Sequence, residues 1–423
     1  MVSRKHKEQF NNLCHIHNKV RDYEVDRIRE RVCVNDLPLK EFKGKHYCLF
    51  HLPTKDKDVQ KFEETFKARL KAVEDKIEEI EKLSEGMQIA AKNKLRYDFR
   101  YVWFPSLVDL RDYRFRALTS FSSATFSAKV DFYKALFEEK SPLFFRQTSL
   151  QEAVSFNYAN FDGYVSFQGS NDNRLFGEKA MLDLQHARID DPKKISFHTV
   201  RLEPSWFINT NATGFVFSDC EWRYSDGKRL SVKTELENLE KRGFENPNAL
   251  LMYACWHLAD NYEESKSFRK ASLFRQMANE SRRLETSWYW QPFTLRWWYW
   301  LSSFYGESSS WATLVLVTLI FLVFPIIYTQ TNFQTCSKDR PIATSLTICE
   351  SKDEEVRKKC TCSKDQITFT DAIVQSLTTA TLQNVEYRKP LTVWGELLII
   401  LEKIFAPLQA ALLALAIRRK FMR

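Results

Sequence analysis

Two apolar stretches near the C-terminal end restrict this chain more than any other feature. Residues 311–328 (WATLVLVTLIFLVFPIIY) carry no charge, and residues 391–417 (LTVWGELLIILEKIFAPLQAALLALAI) carry only Glu396, Glu402 and Lys403. A run of about 20 apolar residues is the length that crosses hydrocarbon as a helix. Between them, residues 369–387 (FTDAIVQSLTTATLQNVEY) are too short to span and have a Thr-rich end just before the second stretch. Span, re-entrant helix, polar turn, span is the plan of a pore subunit. Irregular backbone survives at membrane depth only inside protein or along a water-filled cavity. The three charges of the second stretch would otherwise face lipid at a cost of about 3 kcal/mol each. Gln409 falls two turns after Glu402 on nearly the same helical face, which gives that helix one polar wall. The plainer alternative is a pair of anchoring helices with an amphipathic external segment.

The rest of the chain reads as lying outside the membrane. Its 423 residues leave room for two or three domains, and the mean hydropathy of −0.41 is that of a soluble protein. The opening MVSRKHKEQFNNLCHIHNK has no apolar core and so is not a secretory signal. Arg418, Arg419, Lys420 and Arg423 follow the second span and Arg296 precedes the first. Positive flanks place both termini in the cytoplasm and residues 331–366 outside. Four of the nine cysteines, Cys336, Cys349, Cys360 and Cys362, fall in that external segment, where disulfides persist. A Cys360–Cys362 link is strained, so each is expected to join Cys336 or Cys349. Cys220 and Cys255 read as buried thiols. The formal charge of +9 suits anionic lipid, nucleic acid or nucleotides, although the membrane flanks supply several of these charges.

Residues 1–54 suggest a small metal module. Cys14, Cys33, Cys48 and His51 supply the four ligands that tetrahedral Zn²⁺ takes, as a structural site, with His15 and His17 competing for the Cys14 position. A segment this short has little core, so a metal would staple it. Residues 55–98 predict one long helix, with Val59, Phe62, Phe66, Leu70, Val73, Ile77, Ile80 and Leu83 at spacings of three and four. Such a helix either joins subunits as a coiled coil or lies on its own domain. Residues 226–297 return to helical periodicity, with Asn246-Pro247-Asn248 as a start signal, and run into an aromatic strip from Trp288 to Trp300 that suits a membrane interface.

Residues 99–225 have a different rhythm. Apolar residues recur every five, as from Phe132 to Phe137, Phe156 to Phe161 and Leu202 to Phe207, and Ala124, Ala135, Ala159 and Ala187 precede such positions by two. A period of five fits neither a helix nor a flat strand but suits a square solenoid with one inward residue per face. This stretch resembles the pentapeptide-repeat family, which implies a right-handed quadrilateral β-helix. The count is broken at residues 138–143 and 169–177.

The pore domain, residues 298–423, carries a second resemblance. From Thr368 onward, Phe369-Thr-Asp-Ala-Ile-Val-Gln-Ser-Leu-Thr-Thr379 followed by residues 397–416 is similar to the two-transmembrane potassium-channel-like pore domain. The resemblance implies a pore helix, an inner helix and four subunits around one axis. One departure matters: no glycine lies between Gly306 and Gly395, so the glycine–aromatic–glycine filter is missing. A wider, poorly selective cation pore is expected, with Thr378, Thr379, Thr381, Gln383 or Asn384 at its neck, Glu386 as an outer acidic ring, and Glu402 and Gln409 deeper. Pentapeptide-repeat channels of this plan resemble effectors of bacterial antiphage defence, including the Hailong type. That likeness implies inner-membrane placement and gating by an oligonucleotide made by a partner nucleotidyltransferase. The rival expectation is a non-conducting membrane-anchored scaffold. No phosphate loop, Gly-x-Ser-x-Gly or cytoplasmic acid–histidine cluster marks an enzyme. The expected fold class is therefore a multi-domain α+β membrane protein.

Overall fold

The structure is a computed structural model that describes residues 14–16, 39–55, 57–92, 95–170, 172, 174–177, 179–223, 231–338, 360–383 and 388–421. It divides into two units, Met1–Arg282 and Arg283–Arg423.

The first unit is built on a β-solenoid of about six coils. Short parallel strands form four ladders, one per face, the longest running from Arg96–Asp98 through Leu118–Ser120, Leu143–Arg146, Val165–Gln168 and Ile195–His198 to Val216–Ser218. The five-residue step is legible in the register. Phe115, Phe137, Phe161 and Ile189 stand in one column, and Val108, Val130, Val154 and Leu182 in another. Along the first of these columns and in the other two ladders the rings stack nearly parallel: Phe115 on Phe137 at 4.7 Å, Phe145 on Phe167 at 5.2 Å, and Phe104 on Phe126 at 4.4 Å. The spacing follows from the ~4.8 Å between neighbouring strands. Ala124, Ala135 and Ala159 are fully buried where the chain turns, since only a small side chain fits beside an inward Phe.

Two corners of the solenoid use left-handed backbone without glycine. Tyr101, Ser123, Gln147 and Thr199 at one corner, and Asp112, Lys134, Tyr158 and His186 at another, have φ between 52° and 61°. Each of these residues donates its N–H to a carbonyl of the following coil, at 2.6–3.1 Å. That bond offsets the ~1–2 kcal/mol cost of the conformation. A chain with only 10 glycines meets its corner requirement this way.

The expected single helix over residues 55–98 is two helices, Val59–Glu81 and Glu85–Lys92. The break falls at Leu83-Ser84, where the Ser84 carbonyl starts the second helix by accepting from the Met87 and Gln88 amides. The first helix lies on its own domain: Phe66 meets Phe99 at 4.9 Å, and Tyr113 donates to Glu74 at 2.9 Å. At the other end, helices Val232–Lys241, Pro247–Glu264 and Phe268–Leu284 cover the last coil. There Trp222 donates to Tyr262 at 3.0 Å and meets the Phe274 ring at 4.8 Å, while Asn261 donates to the Ala212 and Phe215 carbonyls. Cys220 and Cys255 are buried free thiols, as expected; burial pushes Cys220 up to about 12 and Cys255 well above its usual value.

The second unit holds two helices long and apolar enough to cross a membrane, Ser309–Thr329 and Val393–Arg419. The first contains a π-helical turn, Leu319–Val323, just before Pro325. Proline lacks the N–H for an i→i−4 bond, and a wider turn absorbs that loss. Before the first span, Trp288, Phe293 and Leu295 are at least 80% exposed. Helix Phe369–Ala380 packs between the spans over a cluster of Phe324, Tyr328, Phe333, Ile367 and Ala372. Strands Asn332–Lys338, Cys360–Gln366 and Arg388–Pro390 form an antiparallel sheet.

Candidate functional site

Two sites were expected, and each unit contains one of them in part. In the first unit, the turn from Cys48 to His51 is closed by the His51 and Leu52 amides donating to the Cys48 carbonyl at 3.1 and 3.0 Å. This folds the thiol and the imidazole to one side. The Cys14 Sγ comes in from a distant segment and accepts from the Cys48 amide at 3.4 Å. His51 Nδ1 lies 3.1 Å from Cys48 Sγ and 3.6 Å from Cys14 Sγ. All three ligand atoms fall within 4.8 Å of one another, and all three residues are buried. Bonds of 2.3 Å to sulfur and ~2.0 Å to nitrogen at a tetrahedral angle require a ligand separation of ~3.5 Å, so the two distances bracket the requirement.

His51 Nε2 lies 3.3 Å from the Arg100 carbonyl, which can only accept, so Nε2 carries a proton and Nδ1 is the nitrogen that faces the thiols. Burial lowers the His51 pKa, but hydrogen bonds and charge from Cys14 and Cys48 outweigh it and raise it to about 9. Two thiols and an imidazole at this spacing are donors that a metal ion takes. The Cys14, Cys48 and His51 group is thus a possible metal site, to which Cys33, outside the described residues, was expected to add a fourth ligand. His15 is turned elsewhere, with Nε2 3.3 Å from Lys45 Nζ and its ring edge-on to Tyr47; His17 lies outside the described residues.

In the second unit, the short helix Phe369–Ala380 is started by Thr368, whose hydroxyl accepts from the Asp371 amide at 3.3 Å. Thr378 is half-buried, Thr379 buried, and Thr381 and Gln383 are exposed just past its end; Asn384 and Glu386 lie outside the described residues. Glu402 and Gln409 do share a face, but that face is taken up by the chain itself. Glu402 is fully buried: Tyr328 of the first span donates to its Oε2 at 2.5 Å, and Ser376 of the short helix donates to its Oε1. Gln409 is 4% exposed and donates to the Ser302 and Ala312 carbonyls at 2.8 and 3.0 Å. The polar wall inferred from periodicity is therefore internal. Helical spacing identifies which residues share a face, not what covers it. Tyr328 and Ser376 were missed because a lone Tyr or Ser in an apolar run gives no signal until its partner is known.

Among the four cysteines expected to lie outside, the strand register sets Cys336 directly opposite Cys362 and Lys338 opposite Cys360; Cys349 lies outside the described residues. No family model, no curated protein and no solved structure matches this chain.

Proposed function

We propose that this chain is one subunit of a ligand-gated, homotetrameric ion channel, a weakly selective cation pore. It would sit in a bacterial inner membrane with both termini in the cytoplasm. The reading rests on one observation: a helix too short to span, Phe369–Ala380, is seated between two span-length helices and ends in exposed Thr381 and Gln383. Broken structure at that depth needs water or protein around it. Hydroxyl and amide groups at such a neck exchange with a hydration shell but form no rigid carbonyl cage, so K⁺ and Na⁺ would pass with little distinction. The solenoid and its helical cap serve as the cytoplasmic sensor, stapled by a structural Zn²⁺ at Cys14, Cys48 and His51. The charge of +9 suits an oligonucleotide made by a partner nucleotidyltransferase. Such a ligand gates through its different affinity for the closed and open states. Opening would depolarise the membrane and halt growth, the action of an antiphage effector.

Bilayer recordings of the purified chain test this. The expected result is a cation current with a K⁺/Na⁺ permeability ratio near one, blocked when T381C is modified by a charged thiol reagent. A current insensitive to that modification would move the neck elsewhere. A second reading, a non-conducting membrane-anchored scaffold, is favoured by the internal use of Glu402 and Gln409. Silence in bilayers under every ligand condition, with intact membrane insertion, would select it.

A further inference from the structure

Lys57 is 3% exposed, and among the described residues its ammonium has no carboxylate partner. Its three protons go to three backbone carbonyls: Leu49 at 3.0 Å, Phe50 at 3.2 Å and Trp103 at 2.5 Å. An ammonium has three donors, so its capacity is full. The Phe62 ring lies 4.6 Å from Nζ. Leu49 and Phe50 are the two residues between the Cys48 and His51 ligands, whereas Trp103 belongs to the first coil of the solenoid. Two further bonds join the same partners. The Trp103 amide donates to the Phe50 carbonyl at 2.9 Å, and His51 Nε2 donates to the Arg100 carbonyl at 3.3 Å. Phe50 is fully buried, 5.3 Å from Phe62, which in turn meets Phe104 at 5.6 Å.

A repeat solenoid exposes unpaired backbone and apolar interior at each end unless something covers it. Arg96–Asp98 and Trp103–Phe104 are the terminal strands of their ladders at this end. We propose that the ligand turn Cys48–His51 is the solenoid's N-terminal cap and that Lys57 is the positioning residue that locks it there. Binding of a thiolate-preferring divalent cation and ordering of the first coil would then be a single linked equilibrium. The proposal rests on the metal reading above. Its logic is reciprocal: a cation that holds Cys14, Cys48 and His51 together also aims the Leu49 and Phe50 carbonyls at Lys57, and Lys57 returns the same stabilisation to the cation.

The test measures zinc affinity by chelator competition, and amide exchange across the solenoid, on the full chain in detergent. Withdrawing zinc is expected to raise exchange in residues 96–104 while residues 143–200 stay protected. K57M is expected to weaken zinc about tenfold, the lower range for groups that orient metal ligands, and to raise exchange in the same 96–104 peptides. Zinc leaving with no change at 96–104 overturns the cap. K57M with unaltered zinc affinity overturns the lock. Should K57M loosen every coil, K57R serves instead. Its planar fork cannot meet three converging carbonyls, so it is expected to weaken zinc, and an unchanged affinity overturns the lock. A wild-type chain that binds no zinc refutes the metal reading alone, and K57M in the metal-free chain must still raise exchange at 96–104 for the lock to stand.

Discussion

Glu235 shows what burial does to a carboxyl group in the first unit. It is 1% exposed; one carboxylate oxygen accepts from the Ser205 amide at 3.2 Å and the other has no hydrogen-bond partner. Burial pushes its pKa up to about 7, against the ordinary value of 4.5, and the Glu203 charge adds to this while the Ser205 bond opposes it. Between those two values the folded chain binds more protons than the unfolded one, so stability falls as pH rises from about 4.5 to 7 and stays low above that. Glu235→Gln should therefore flatten thermal stability between pH 5 and 8 and raise the melting temperature at pH 8; differential scanning fluorimetry checks both. In the solenoid interior, Phe145 stacks on Phe121 and Phe167 and is fully buried. Phe145→Ala should cost about 3–5 kcal/mol, read as a loss of denaturant resistance with the strand signal retained in the distal coils.

Among the elements, the short helix is tied to both long helices through a single group. Glu402 accepts one hydroxyl from the first span and one from the short helix, so a side chain of the second span joins all three segments. Glu402→Ala strands two buried hydroxyls at about 1–3 kcal/mol each and should loosen the short helix, seen as faster amide exchange over residues 369–380. Glu402→Gln keeps an acceptor for one hydroxyl and should lose about half as much. In the antiparallel sheet of the second unit, the register opposes Cys336 to Cys362. A non-reducing peptide map of protein from an oxidising compartment is expected to join these two, and a map joining Cys336 to Cys360 would contradict the register. Elements were legible in the sequence where one residue type served one geometric purpose. The inward Phe of each coil gave away the solenoid, and the Cys48-x-x-His51 spacing gave away the ligand turn. What stayed hidden depends on segments far apart in the chain: Lys57 meeting Trp103, His51 meeting Arg100, Tyr328 meeting Glu402. The break was hidden for another reason, since the apolar spacing runs past the helix end at Glu81 to Leu83.

On the scale of the whole molecule, the spans of a lone chain leave Leu314, Leu322, Ile400, Ile404 and Leu408 about half exposed, apolar surface that lipid or neighbouring copies must cover. The proposed tetramer should run in detergent at four times the 50.0 kDa chain mass by light scattering with detergent correction; a particle of one chain would remove it. The solenoid's register also has a consequence for the order of assembly. Ladder partners stand 22 and 24 residues apart, Phe115 with Phe137 and Phe137 with Phe161, short separations for parallel strands in a chain of 423. Contacts this local close cheaply and fast. During synthesis each coil can settle on the one before it as soon as about two dozen residues have left the ribosome. The growing edge then stays open until Asn261 and Tyr262 of the covering helices reach the Ala212 and Phe215 carbonyls and Trp222, which makes the interval before residues 232–284 emerge the moment when a nascent chain is most exposed to pairing with another.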